Sequence, residues 1–205
     1  MALEARIIPV LLLHKGGLYK TKQFKNPKYV GDPINAVRIF NEKEVDELLI
    51  LDIDCSAENK EPNYALIEEI VSEAFMPVGY GGGIANLEIA KKVFQLGVEK
   101  VIINSALTKN LNILSEISAI YGAQAVVGCI DYKKSLISGT KAYFTNASQK
   151  SNATPLEWAK TIEKAGAGEI MLNAVDREGG YDGYDLELLK QVVTSVNIPV
   201  VISGG

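Results

Sequence analysis

Two stretches of this chain repeat one another, and the repeat restricts the fold more than any other feature. Met76-Pro77-Val78-Gly79-Tyr80 runs into Gly81-Gly82-Gly83, and Ile198-Pro199-Val200-Val201-Ile202 runs into Ser203-Gly204-Gly205 in the same apolar-to-glycine order. The likeness reaches upstream. Asp46-Glu47-Leu48-Leu49-Ile50-Leu51-Asp52 resembles Gly168-Glu169-Ile170-Met171-Leu172 with Asp176 beyond it, and in each half 30 positions separate the glutamate from the proline. Self-similarity at fixed spacing is the mark of a duplicated unit. The join falls near Gly122, giving halves of about 1–122 and 123–205 within one domain, 1–205.

Between the repeats, short apolar runs alternate with segments of helical period, the pattern of βα units around a parallel sheet. Strands are expected at Ile7–Leu13, Leu48–Asp52, Pro77–Tyr80, Val101–Ile103, Ala125–Ile130, Ile170–Leu172 and Pro199–Ile202. Helices are expected from Pro33, with Ala36, Val37, Ile39 and Phe40 as an apolar face, and over Tyr64–Ala74, Leu87–Leu96, Leu111–Ile120, Pro155–Ala165 and Leu186–Val193. These elements predict an α/β fold, a (β/α)8 TIM barrel with an internal half-barrel repeat, lacking about the last βα unit. On the repeat, the native gene product is expected to continue for roughly forty residues.

At 47% hydrophobic and 22% charged residues, the 205-residue chain can bury an ordinary core. A net charge of −4 argues against nucleic acid or an anionic membrane as main partner. No apolar stretch approaches the roughly 18 residues of a spanning helix. Ile7 to Leu13 lacks a small-residue cleavage site and reads as a core strand, so a cytoplasmic location is expected. Cys55, Cys129 and the single histidine, His14, form no metal-ligand spacing, and neither metal nor cofactor is expected.

Chemistry in such barrels sits at the C-terminal ends of the strands. Asp52 and Asp54 end the second strand, Asn104 and Ser105 the fourth, Asp131 the fifth, Asn173 and Asp176 the sixth. Gly81–Gly83 lacks side chains that would keep an anion from the backbone N–H groups, and a helix start follows. By the symmetry of the halves, a second glycine turn at 204–205 faces it across the mouth, an arrangement suited to a substrate phosphorylated at both ends. Asp131 reads either as a loop or cap residue or as a used carboxylate; ending a buried strand is costly unless the group is paired or working. At the other barrel end, Arg6, Glu47, Lys100 and Glu169 each precede a strand. Solvated flanks and an ion-pair ring are both open readings of these four charges.

Arg6-Ile7-Ile8, Asp46-Glu47-Leu48, Leu51-Asp52, Gly81-Gly82-Gly83-Ile84, Lys100-Val101, Ile103-Asn104, Ile130-Asp131, Gly166-Ala167-Gly168-Glu169-Ile170, Asp176-Arg177, Gly183-Tyr184-Asp185 and Ser203-Gly204-Gly205 resemble, over the whole chain, the cyclase subunit of imidazole glycerol phosphate synthase. The resemblance implies a barrel that docks a glutaminase on its N-terminal face and passes ammonia through to a bisphosphorylated substrate. It matches Asp131 to the family's fifth-strand catalytic aspartate, a general acid or base. Gly83, Asn104 and Ser105 match one phosphate site, and Gly179 and Gly205 the other. Asp52, Asn173 and Asp176 fall at the substrate end of the barrel, and Lys20 matches a loop lysine that orders the substrate. Arg6, Glu47, Lys100 and Glu169 match the four gate residues at the ammonia entrance.

One position departs. Where the family has a first-strand aspartate as the partner of the fifth-strand one, this chain has Leu12. Leucine transfers no proton, and one acid–base group is worth about 10²–10⁴ in rate. Leu11 and Leu13 are apolar, and His14 stands two positions on. The loop at Ala147-Ser148-Gln149 also lacks an expected glycine, which puts substrate contacts there in question. Arg6 to Leu13 and Leu51-Asp52-Ile53-Asp54 resemble cyclase-like proteins associated with amidation of surface-polysaccharide sugars. That resemblance implies a subunit handing ammonia to a separate sugar amidotransferase acting on a nucleotide-linked sugar, its own lyase activity weakened or lost. The alternatives are a working cyclase of histidine biosynthesis and a docking subunit that binds a glutaminase without conducting ammonia.

Overall fold

The structure, a computed structural model, describes residues 6–135 and 139–205. Seven strands lie parallel and side by side in chain order: β1 (Val10–His14), β4 (Leu48–Asp52), β5 (Val78–Gly81), β6 (Lys100–Ile103), β7 (Val126–Ser135), β10 (Glu169–Ala174) and β11 (Val200–Ser203). The sheet curls as in a TIM barrel and stays open between β11 and β1, where an eighth strand would sit. Helices α1 (Pro33–Glu42), α3 (Tyr64–Glu73), α4 (Leu87–Gln95), α5 (Asn112–Tyr121), α6 (Pro155–Lys164) and α7 (Leu186–Val193) follow their strands as the periodicity predicts. Local chemistry fixes their starts. Asp32, Asn63, Asn86 and Asp185 accept from the third backbone N–H of their helices, and Thr154 with Glu157 forms a capping box ahead of α6.

Four features differ from the expectation. The first strand begins at Val10 and not Ile7, because Pro9 has no N–H for the ladder, and Ile7 is exposed. A hairpin, β2 (Gly17–Lys22) with β3 (Lys25–Gly31), extends β1, and a second extension, β8 (Gly139–Phe144) with β9 (Gln149–Lys150), follows β7. A short helix, α2 (Cys55–Glu58), follows β4.

Alternation along the strands makes two cores. Leu48, Ile50, Val78, Tyr80, Val101, Ile103, Val126, Ile130, Ile170 and Leu172 face the helices. Leu49, Ile102, Val127, Cys129 and Met171 fill the barrel, with Ile8, Val10 and Leu51 against them. Strands buried on both faces explain why the sequence reads as continuous apolar runs. β5 turns only Gly79 and Gly81 inward, and a methyl at Gly79 would come within 2.5 Å of a Leu49 methyl. Side chains of the neighbouring strands occupy that space.

Candidate functional site

The strand register sorts the barrel interior into layers. At the N-terminal end Lys100 Nζ lies 2.8 Å from Glu47 Oε1 and 2.8 Å from Glu169 Oε2, while Arg6 reaches the same carboxylates at 3.1 and 3.4 Å. The four charges expected at the strand starts thus meet in a closed alternating ring. Glu47 and Glu169 are 4% and 5% exposed, so their charge depends on the two cations. Burial works against the Lys100 ammonium, but the Glu169 and Glu47 carboxylates outweigh it and hold its pKa above the ordinary value. Above the ring lies an apolar layer of Leu49, Val127 and Met171, then Val10, Leu51, Ile102 and Cys129.

That second tier is the floor of a cavity of about 460 Å³ at the C-terminal strand ends. Asp52, Gly83, Asn104, Ser105, Asp131 and Asn173, all singled out from the sequence, line it. Leu12 lines it too, in the inward-facing register of β1. Asp131 is 5% exposed and accepts one hydrogen bond, from Asn173 Nδ2 at 3.0 Å. Burial pushes its carboxyl up to about 7, against the smaller opposing pull of the Asn173 bond and the Lys133 charge. A carboxyl so placed can give or take a proton near neutral pH.

Other predicted residues have structural duties. Asp52 Oδ1 accepts from the Asp54 and Cys55 backbone N–H groups at 2.9 and 3.2 Å, shaping the start of α2. Asn104 donates to the Cys129 carbonyl at 3.1 Å and accepts from Thr145 N at 3.1 Å, so its amide is largely committed. Gly82 and Gly83 take φ of +134° and +68°, values that side chains rarely adopt, and Gly83 packs against the Cys55–Pro62 segment. His14 lies outside the cavity lining, its Nδ1 2.5 Å from Asp54 Oδ1.

Lys20, Asp176, Gly179 and Gly205 also fall outside the cavity lining. Lys20 is exposed on β2 opposite Lys28. Asp176 Oδ2 accepts from Lys134 N at 3.0 Å. Gly179 lies against the backbone of Thr21 and Lys22, and Gly205 against Gly183. In their place the structure brings in residues that the sequence did not single out. Glu178 lines the cavity, its carboxyl raised by burial, and so do Phe24 from the tip of the first hairpin and Thr145 and Asn146 from the turn after β8. The sequence had marked Asp176 and Gly179 on either side of Glu178, but not the acid between them. Asn146 spans the mouth, donating to the Ile53 carbonyl at 2.7 Å.

Among the described residues no group of three or more His, Cys, Asp or Glu side chains is placed to hold a metal ion, and no helix is long and apolar enough to cross a membrane.

The profile of a family described as "Histidine biosynthesis protein" matches residues 6–205. A Pseudomonas aeruginosa protein provisionally named imidazole glycerol phosphate synthase subunit hisF2 is 52% identical over 200 residues, covering 98% of this chain and 80% of its own length. A Leptospira interrogans protein with a provisional name of the same kind, subunit HisF, is 47% identical over 204 residues, covering 99% and 80%. The imidazole glycerol phosphate synthase subunit HisF of Alkaliphilus metalliredigens is 36% identical over 200 residues, covering 98% and 79%.

Proposed function

The chain belongs to the histidine biosynthesis protein family, and from that premise we propose that it is an ammonia-receiving synthase subunit whose own ring-closing chemistry is weakened or lost. The observation that carries this reading is Leu12, which turns an isobutyl group into the cavity that holds Asp131. A single carboxyl with its pKa near 7 can shuttle one proton, but a reaction that needs an acid and a base together lacks its second group.

The N-terminal end supports retention of the other half of the activity. A glutaminase partner docked there would release ammonia at the ring of Arg6, Glu47, Lys100 and Glu169. The apolar tier above it, Leu49, Val127 and Met171, admits neutral ammonia far more readily than ammonium, whose charge it cannot solvate. Nitrogen delivered to a mouth without the acid–base pair would pass to an acceptor held by another protein, and a sugar amidotransferase acting on a nucleotide-linked sugar fits that role. Relatives at 47–52% identity include numbered second and third copies, hisF2 and hisF3, whereas three named without qualification stand at 34–38%. That ranking favours a second-copy role over histidine synthesis itself.

The test is complementation of a histidine auxotroph lacking its cyclase subunit, together with ammonia-dependent turnover in vitro. The wild-type protein should fail and Leu12→Asp should recover part of the activity; growth at the normal rate with Leu12 intact would sink the proposal. A second reading, a working cyclase, is favoured by one observation, the half-buried Glu178 carboxyl in the same cavity. In that case wild-type turnover would be present and Glu178→Gln would abolish it. A docking subunit that conducts nothing is separated by Lys100→Ala. Conduction predicts that product falls with glutamine as nitrogen source and holds with added ammonium.

A further inference from the structure

Among the described residues Phe75 is the most exposed of the large apolar side chains, at 89%. It lies in the turn that leads from α3 into β5. Its backbone N–H donates to Asn41 Oδ1 at 2.9 Å, and the Asn41 amide donates to the Glu73 carbonyl at 2.7 Å, so one side chain of α1 clamps the turn at two points. Arg38 Nε holds the Glu73 carboxylate at 3.1 Å. Beside Phe75 runs a groove that it lines together with Val45, Met76 and Pro77. A lone apolar side chain on a surface needs no explanation. An aromatic on a clamped backbone, next to further apolar surface, differs in kind, because it gives up little freedom when a partner covers it.

The place of the turn on the barrel points to what covers it. Leu48 N donates to the Pro77 carbonyl at 3.0 Å, and Glu99 N to the Val78 carbonyl at 2.9 Å. The turn therefore stands between the starts of β4 and β6, beside Glu47 and Lys100 of the ion-pair ring. Glu47 and Glu169 are nearly buried and offer a partner little area. A stable interface covers about 800 Å² a side, so a protein seated over the ring extends onto the strand starts around it. Between Glu47 and Lys100 the apolar group it meets is Phe75. Glu44 and Asp46 are exposed in the segment that enters β4, next to the same groove. An aromatic with charged groups at its margin has the composition of a binding hot spot.

We propose that Phe75 is the anchor that holds the glutaminase subunit: its ring enters an apolar socket on that partner, and basic side chains around the socket face Glu44 and Asp46. The inference deepens the reading above and rests on it in taking a glutaminase to dock over the ring. Calorimetric titration of the full-length protein with the purified glutaminase subunits of imidazole glycerol phosphate synthase encoded in the source genome tests it. Phe75→Ala should weaken the complex at least about thirtyfold, the loss expected of a hot-spot aromatic, and Phe75→Trp should keep most of the affinity. The loss should persist at high salt, since burial of an apolar ring is not screened as exposed charges are. The melting temperature of the free protein should barely move, because the ring packs on little in the free chain. Wild-type affinity in Phe75→Ala, or a loss that vanishes at high salt, would overturn the anchor and leave docking of the glutaminase standing. A change in self-association of the free protein on Phe75→Ala would overturn it too, by assigning the ring to a second copy of the chain. Failure of the wild-type protein to bind any of these glutaminases would remove the docking premise itself, so the two readings fail separately.

Discussion

Asp131 sets the pH behaviour expected of the site. Its folded pKa is raised by burial above the ordinary value of 3.8, so between about pH 4 and 7 the native state holds a proton that the unfolded chain has released. Stability therefore falls as pH rises through that window, and above it the full cost of a buried charge is present. Asp131→Asn should be more stable than wild type at pH 8 by a few kcal/mol, on the order of 1.4 kcal/mol per pKa unit, and no more stable at pH 4. Urea unfolding at the two pH values measures this, and a variant equally or less stable at pH 8 would refute the assigned burial. Leu12 belongs to the same scale. It lines the same cavity, so Leu12→Asp would add a second carboxyl there and should widen the pH range over which the site titrates.

At the scale of elements, the turn after β8 holds strain. Thr145, Asn146 and Ala147 take φ of 54°, 52° and 56° in succession, a left-handed run that costs non-glycine residues roughly 1–2 kcal/mol each. The turn is held in place by Asn104 on Thr145, by Ile53 on Asn146, and by Lys133 Nζ on the Ala147 carbonyl at 3.2 Å. Ala147→Gly should stabilise the protein by about 0.5–1 kcal/mol after the entropy of glycine is set against the relieved strain, read as a raised Tm. The missing glycine at this loop was visible in the sequence; the bridge it forms was not, because Asn146 and Ile53 are 93 residues apart. The same division runs through the fold. Parallel strands and capped helices were legible because apolar runs and Asp, Asn or Thr caps are local signals. The β2–β3 hairpin was not, since β3 is almost wholly exposed and carries no apolar alternation. Asp131 and Asn104 were found as strand ends and Gly83 in a glycine turn, whereas Glu178 and Phe24 enter the site by loop paths that only tertiary contacts fix.

For the molecule as a whole, the ring at the N-terminal end joins β1, β4, β6 and β10 through groups drawn from both halves of the repeat. Lys100→Met would leave two nearly buried carboxylates sharing a half-exposed arginine. The expected loss is about 3–5 kcal/mol at neutral pH, read in denaturant melts. A loss under about 1 kcal/mol would refute the role of Lys100 in holding the two carboxylates. The opposite end is joined by main chain: Gln23 donates its backbone N–H to the Glu178 carbonyl at 2.9 Å and its side-chain amide to the Asp176 carbonyl at 2.8 Å. Those bonds tie the tip of the first hairpin to the segment after β10. Phe24 and Glu178 therefore share one anchor, Gln23, and the wall that they form in the cavity is only as firm as those two bonds.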